Sequence, residues 1–215
     1  MIKLRKIHIH FGLTLIMLGF IAISVMPACA PSVDYEYIDE IKAYRAEMNR
    51  KYADSATSPL TIEGLAHFHE LAFFNIDEKY CVEAQFILNP DPEAFEMETT
   101  TSRRPIYVKY GEAHFIMDGQ KYKLEIYQSE KAKKMTEFKE HLFLPFKDLT
   151  NGNVSYGGGR FLDLKIPAGE TIIIDFNKAY NPYCAYNHRY SCPVPPEVNH
   201  LAIDIPAGVK AYADH

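Results

Sequence analysis

The pair Asp118-Gly119 stands between two alternating runs, Pro105 to Met117 and Gln120 to Tyr127, and constrains the fold more than any other feature of the chain. Both residues tolerate positive φ, as a two-residue hairpin turn requires, so the two runs are expected to pair antiparallel. On the second run Tyr122, Leu124 and Ile126 share one face. Lys79 to Leu88 shows the same period of two, with Tyr80, Val82, Ala84, Phe86 and Leu88 on one side, until Asn89-Pro90-Asp91-Pro92 ends it. Leu142 to Phe146, Phe161 to Ile166, Thr171 to Phe176 and Leu201 to Ile205 read as four further short strands. Two of these finish in the same words, Ile166-Pro167-Ala168-Gly169 and Ile205-Pro206-Ala207-Gly208, where proline stops a ladder and glycine permits a turn. The short turn after Ile166 predicts that 161–166 and 171–176 form a hairpin, which would return Phe176 to the level of Arg160.

Helical spacing is confined to the region before these strands. Tyr37, Ile41, Tyr44 and Met48 recur at steps of four, three and four, predicting a helix between Val33 and Asp54. After a break at Ser55 to Pro59, Thr61 followed by Glu63 signals a second helix reaching Leu71 or Phe73. His67 and His69 fall on it at a spacing of two, which turns them to different faces and away from a shared metal. Residues 131–140 are a charged connection. The expected class is mainly β (α+β): an antiparallel β-barrel or sandwich with one or two N-terminal helices. The segments expected are 1–28, a helix and linker over 29–58, and one mainly β domain over 59–215.

The first of these segments carries a targeting pattern. Lys3, Arg5 and Lys6 precede an apolar run from Ile9 to Met26, the charged and hydrophobic parts of a secretory signal. Met26-Pro27-Ala28-Cys29 resembles a bacterial lipobox, in which the cysteine becomes the lipidated N-terminus, so Cys29 is the expected lipidation site and 1–28 the signal peptide. An uncleaved single-span anchor and ordinary cleavage are the alternatives. Each places the folded part in the cell envelope, outside the cytoplasm, with a membrane as partner in the first two. A formal charge of −5, with lysines and arginines scattered rather than striped, gives no footprint for nucleic acid.

Asp175 to Asn199 is too broken by proline for a helix or a central strand, and too rich in tyrosine and cysteine for disorder. A loop of this size inside a domain is usually functional. With Gly157-Gly158-Gly159-Arg160, Asp175-Phe176-Asn177 and the run through Cys192-Pro193, in that order, the last third of the chain resembles the bacterial family catalogued as domain of unknown function 1684. That resemblance brings no established activity and leaves any cofactor unknown; Tyr180 and Tyr186 belong to its pattern.

The residues themselves suggest several chemistries. Gly157, Gly158 and Gly159 could let backbone N–H groups converge on an anion beside Arg160, or could simply allow a sharp bend. Asp175, Asn177, His188 and His200 could gather around a divalent ion, or the first two could make turn hydrogen bonds. Cys184 with His188 or His200 could be nucleophile and base, whereas a Cys184–Cys192 disulfide, leaving Cys81 in a strand, would staple the loop. Tyr180, Tyr183, Tyr186 and Tyr190 could form a platform for a sugar or planar ligand, or act as half-buried wedges. Asn181 and Asn199 complete the candidate set. The reading is a lipid-anchored envelope protein binding a small polar or anionic ligand within 157–199. An envelope hydrolase using Asp175, Cys184 or a histidine and a purely structural or protein-interaction domain are the alternatives.

Overall fold

The computed structural model describes residues 34–212; the signal, lipobox and Cys29 lie outside them. Residues from Asp34 onward form one unit. Helix α1 (Tyr35–Ala53) opens it, capped by the Asp34 carboxylate, which accepts from the amides of Glu36 and Tyr37. Of its apolar stripe only Ile41 is fully buried, and Tyr52, one turn beyond Met48, is buried as well. The second helix, α2 (Ile62–Ala66), is only five residues long. Thr61 caps it as expected, but the helix stops at His67 instead of reaching Leu71.

The strands are β1 (Cys81–Leu88), β2 (Ala94–Glu96), β3 (Ile106–Met117), β4 (Gln120–Ser129), β5 (His141–Phe146), β6 (Arg160–Lys165) and β7 (Thr171–Asp175). They make one antiparallel sheet curled into a half-barrel, in the order β6-β5-β4-β3-β1-β7, with β2 also on β3. The β3–β4 hairpin turns at Asp118 and Gly119, whose φ angles of 48° and 75° suit the tight two-residue loop, and Met117 pairs with Gln120. A bulge between Lys109 and Gly111 bends β3.

One face of the sheet holds the main core. Ala84, Phe115, Leu124, Ile126, Leu142, Leu144, Leu162 and Ile174 alternate inward along their strands, closed over by Phe176, Leu201 and Ile205. The segment 201–205 is therefore not the strand its alternation suggests. It crosses the open core as irregular chain, and its Leu201 amide bonds the Lys147 carbonyl. Residues 131–140 are short 3-10 turns that stay mostly exposed.

The expected β6–β7 hairpin does not form. The two strands lie at opposite ends of the sheet, and β7 pairs with β1, Cys81 opposite Asp175. Pairing β7 with β1 places Ile172 and Ile174 in the same core as Ala84. Beside β6, Phe161 instead exchanges two backbone hydrogen bonds with Tyr180.

Asn199 completes the sheet where its ladder thins. β4 and β5 are in register at one pair only, Tyr127 with Phe143. The fully buried Asn199 amide acts there as a peptide group would: Oδ1 accepts from Glu125 N–H at 2.7 Å, and Nδ2 donates to the carbonyls of Glu125 and Pro145, both at 2.8 Å. Asn199 thus joins two strands rather than facing a ligand.

Candidate functional site

The glycine-rich bend and its arginine are sealed into the protein. Arg160 is fully buried, its Nη2 bonded to Asp148 Oδ2 at 2.6 Å and to the Ile205 carbonyl at 2.8 Å, and its Nη1 to the Ala207 carbonyl. Asp148 Oδ1 in turn accepts from the amide and hydroxyl of Thr150 and from the Ile205 amide. The guanidinium is thus held by two loop carbonyls and by Asp148, with no exposed side left for an anionic ligand. Gly159 has φ of +93°, and a Cβ there would sit 2.8 Å from the Phe146 carbonyl oxygen, while one on Gly158 would strike the Tyr156 ring. The Gly159 amide is spent on the Tyr156 carbonyl. With Gly157, these residues form a close crossing of chains whose cation is already neutralised, and they offer no open anion cradle.

Asp175 and Asn177 lie together, as expected, yet they too serve the scaffold. Asp175 Oδ1 accepts from Tyr37 Oη at 2.9 Å and from the Asn177 amide at 3.0 Å. Asn177 Nδ2 donates to Tyr37 Oη and to the Asp77 carbonyl. The network ties α1 and the approach to β1 onto the end of β7. Burial, then the Asp175 charge, push the Tyr37 phenol far above its usual range, so it stays a donor. Asn181 is fully buried on the Lys210 carbonyl and the Tyr186 hydroxyl, and Tyr186 packs its ring edge-on against Tyr52 at 5.0 Å. Among the described residues no cluster of three or more His, Cys, Asp or Glu side chains has metal-binding geometry. His200 Nε2 lies 3.2 Å from the Pro195 carbonyl oxygen.

The open site lies on the other face of the sheet. A cleft of about 560 Å³ runs between α1, the outer face of β5 and β6, and the loop 180–193. This volume falls within the ~300–1,000 Å³ usual for small-molecule sites. Strand alternation builds its floor: while Leu142, Leu144 and Leu162 point into the core, His141, Phe143, Phe161 and Asp163 point outward. Tyr44, Met48 and Tyr52 of α1 form one wall. Tyr183 and Tyr190, whose ring centroids are 5.3 Å apart, form another, and Cys192 also lines the cleft. Phe143 and Phe161 meet edge to face at 4.8 Å.

One carboxylate stands among these rings. Asp163 Oδ1 accepts from Tyr180 Oη at 2.9 Å and is bonded by His141 Nε2 at 2.8 Å, and the side chain remains 54% exposed. Burial, reinforced by the Asp163 charge, raises Tyr180 well above the ordinary phenol range, so it donates rather than ionises. The other charges in the cleft, Glu47 and Lys51, pair with each other at 3.5 Å on α1.

Of the sequence candidates, Tyr180 alone among the proposed ligand residues reaches this cleft, together with Tyr183 and Tyr190 from the suggested platform. Asp163, His141, Phe143 and Tyr107 escaped the sequence reading because each is an ordinary outward residue of an alternating strand. A signal was present in Phe161 and Asp163, which share the face opposite Leu162 and Leu164.

Cys184 and Cys192 are both buried thiols. The Cys184 amide donates to Cys192 Sγ at 3.1 Å, and the two stand as neighbouring free thiols. Cys81 is half-buried at the start of β1.

No curated protein matches the chain. The solution NMR structure of the uncharacterized protein from gene locus rrnAC0354 of Haloarcula marismortui is similar over 84% of this chain and 97% of that one, at 32% identity and a TM-score of 0.65. A family profile matches residues 66–210, which span the whole sheet, the Asp148–Arg160 pair and the 180–193 loop. On both grounds the chain belongs to the family described as Protein of unknown function (DUF1684).

Proposed function

We propose that the protein binds a small, donor-rich ligand with a flat apolar face, of the class of a carbohydrate ring, in the cleft between α1, β5–β6 and the 180–193 loop. The observation that carries this reading is Asp163: a half-exposed carboxylate held in place by His141 and Tyr180 and surrounded by aromatic rings. Both of its hydrogen bonds fall on Oδ1, so Oδ2 can accept from a ligand hydroxyl while Phe161, Tyr183 or Tyr190 meets the ring face. The expectation of an anionic ligand rested on Arg160, which is enclosed, and the cleft presents a carboxylate in its place. The pattern of residues 1–29 supports a location in the cell envelope with lipid on Cys29, where such a ligand would be met outside the cytoplasm.

Ligand-observed NMR with a panel of mono- and disaccharides, followed by calorimetry on any hit, tests the reading. Asp163→Asn is expected to weaken binding about tenfold to a hundredfold, as loss of a charge-assisted hydrogen bond worth ~1.5–3 kcal/mol implies. Its thermal midpoint should stay within a degree or two of the parent, since the side chain is half exposed. Equal affinity in Asp163→Asn, or no saccharide bound at millimolar concentration, refutes the assignment.

A further inference from the structure

The adjacent thiols in the 180–193 loop have a reactivity that ligand binding does not require. Cys192 lines the cleft, while Cys184 lies behind it in a 3-10 turn, Tyr183–Ala185. The Cys184 amide points at Cys192 Sγ from 3.1 Å, and Tyr156 Oη stands 3.8 Å from Cys184 Sγ. A sulfur within hydrogen-bond reach of its partner's own backbone places the two cysteines side by side, the proximity that a disulfide between them requires. We propose that Cys184 and Cys192 form a redox-active dithiol site, open through the cleft, that reacts reversibly with low-molecular-weight disulfides.

The environment suits that chemistry. Only the thiolate attacks, and the pair loses its first proton easily: the Cys192 thiol hydrogen-bonding to Cys184 draws that ionisation down to about 7. The same bond pushes the second ionisation, at Cys192, far up. The proton can pass between the two sulfurs, and the Cys184 amide stabilises the negative charge when it sits on the cleft-side one. The Cys192 thiolate then attacks one sulfur of R–S–S–R, forming a Cys192–S–R mixed disulfide and expelling RS⁻, which takes up the proton Cys192 gave. The Cys184 thiolate attacks Cys192 Sγ, forming the internal disulfide and expelling the second RS⁻, protonated by the proton from Cys184. Two electrons leave the thiol pair, and one R–S–S–R becomes two R–SH.

The sequence makes the test direct, because trypsin cleaves after Lys178, Arg189 and Lys210 and so puts the two cysteines on separate peptides, 179–189 and 190–210. The reduced full-length protein is incubated with oxidised glutathione at pH 7.5, quenched in acid, alkylated, digested and analysed by mass spectrometry. The expected product is the two peptides joined, lighter by two hydrogens and separated again by dithiothreitol. Cys184→Ser should stop at the first step and accumulate glutathione on peptide 190–210. Recovery of both wild-type peptides fully alkylated, or a bond from either cysteine to Cys81, overturns the proposal. This readout involves no saccharide, so its result is independent of the cleft's ligand.

Discussion

Replacing Arg160 by alanine separates a buried structural ion pair from a ligand-binding cation. Arg160 and Asp148 have fully buried side chains, and Asp148 Oδ2 has Arg160 as its hydrogen-bond partner. Truncation would leave that carboxylate charged without its counter-ion and take the donor from the Ile205 and Ala207 carbonyls. Breaking such a pair by removing one partner costs about 3–5 kcal/mol. With a urea m-value of roughly 2 kcal/mol/M for a domain of this size, the unfolding midpoint should fall by about 2 M. Arg160→Lys keeps the charge but cannot serve Asp148 and two carbonyls with one planar fork, so its midpoint should lie between the other two.

The assay is urea unfolding at pH 7 followed by tyrosine fluorescence and circular dichroism. Should Arg160→Ala be too unstable to purify, the lysine variant carries the same test. A midpoint within ~0.5 M of the parent for the alanine variant, equivalent to about 1 kcal/mol, would refute the argument and return Arg160 to the set of ligand-binding candidates.

Asn199→Ala should cost about 2–4 kcal/mol, because it strands the Glu125 amide and the carbonyls of Glu125 and Pro145 inside the sheet; thermal unfolding checks it, and a loss below ~1 kcal/mol contradicts the role. Glu112 is drawn from its ordinary 4.5 to about 2, chiefly by the hydrogen bond from the Lys109 ammonium, with His114 and Lys123 adding to it. A carboxyl depressed in the folded state contributes stability that is present above its unfolded value and lost as pH falls toward 2. Urea midpoints between pH 5 and 2 should therefore fall less steeply in Glu112→Gln than in the parent, and parallel profiles would count against it.

The parts of the fold legible in the sequence are those set by neighbours along the chain. Asp118-Gly119 specifies its turn through backbone freedom alone, and the period of two in β1 and β4 names the faces that enter the core. The fate of β6 and β7 was not legible, because a short connection favours pairing while the sheet placed them at opposite ends. That outcome depends on Cys81 meeting Asp175, ninety-four residues away, a contact with no local trace. The polar candidates were ambiguous for a related reason. Glycine, arginine, aspartate and asparagine beside apolar strands call for an explanation, and both a binding site and a buried polar network provide one. Burial against protein hydrogen-bond partners decides between them: Arg160, Asn177 and Asn199 are fully buried and bonded to loop and strand carbonyls, and so hold loops and strands in place. The cleft uses residues that look ordinary in sequence, Asp163 and His141 among outward aromatics, and it exists because α1 and the 180–193 loop stand beside one face of β5 and β6. The polar scaffold thus fixes the loop whose tyrosines wall the cleft: Asn181 anchors it on Lys210 and Tyr186, and the Phe161–Tyr180 bridge sets Tyr180 beside Asp163. A substitution in that scaffold should therefore disturb ligand binding through the loop's position even where it never touches the ligand.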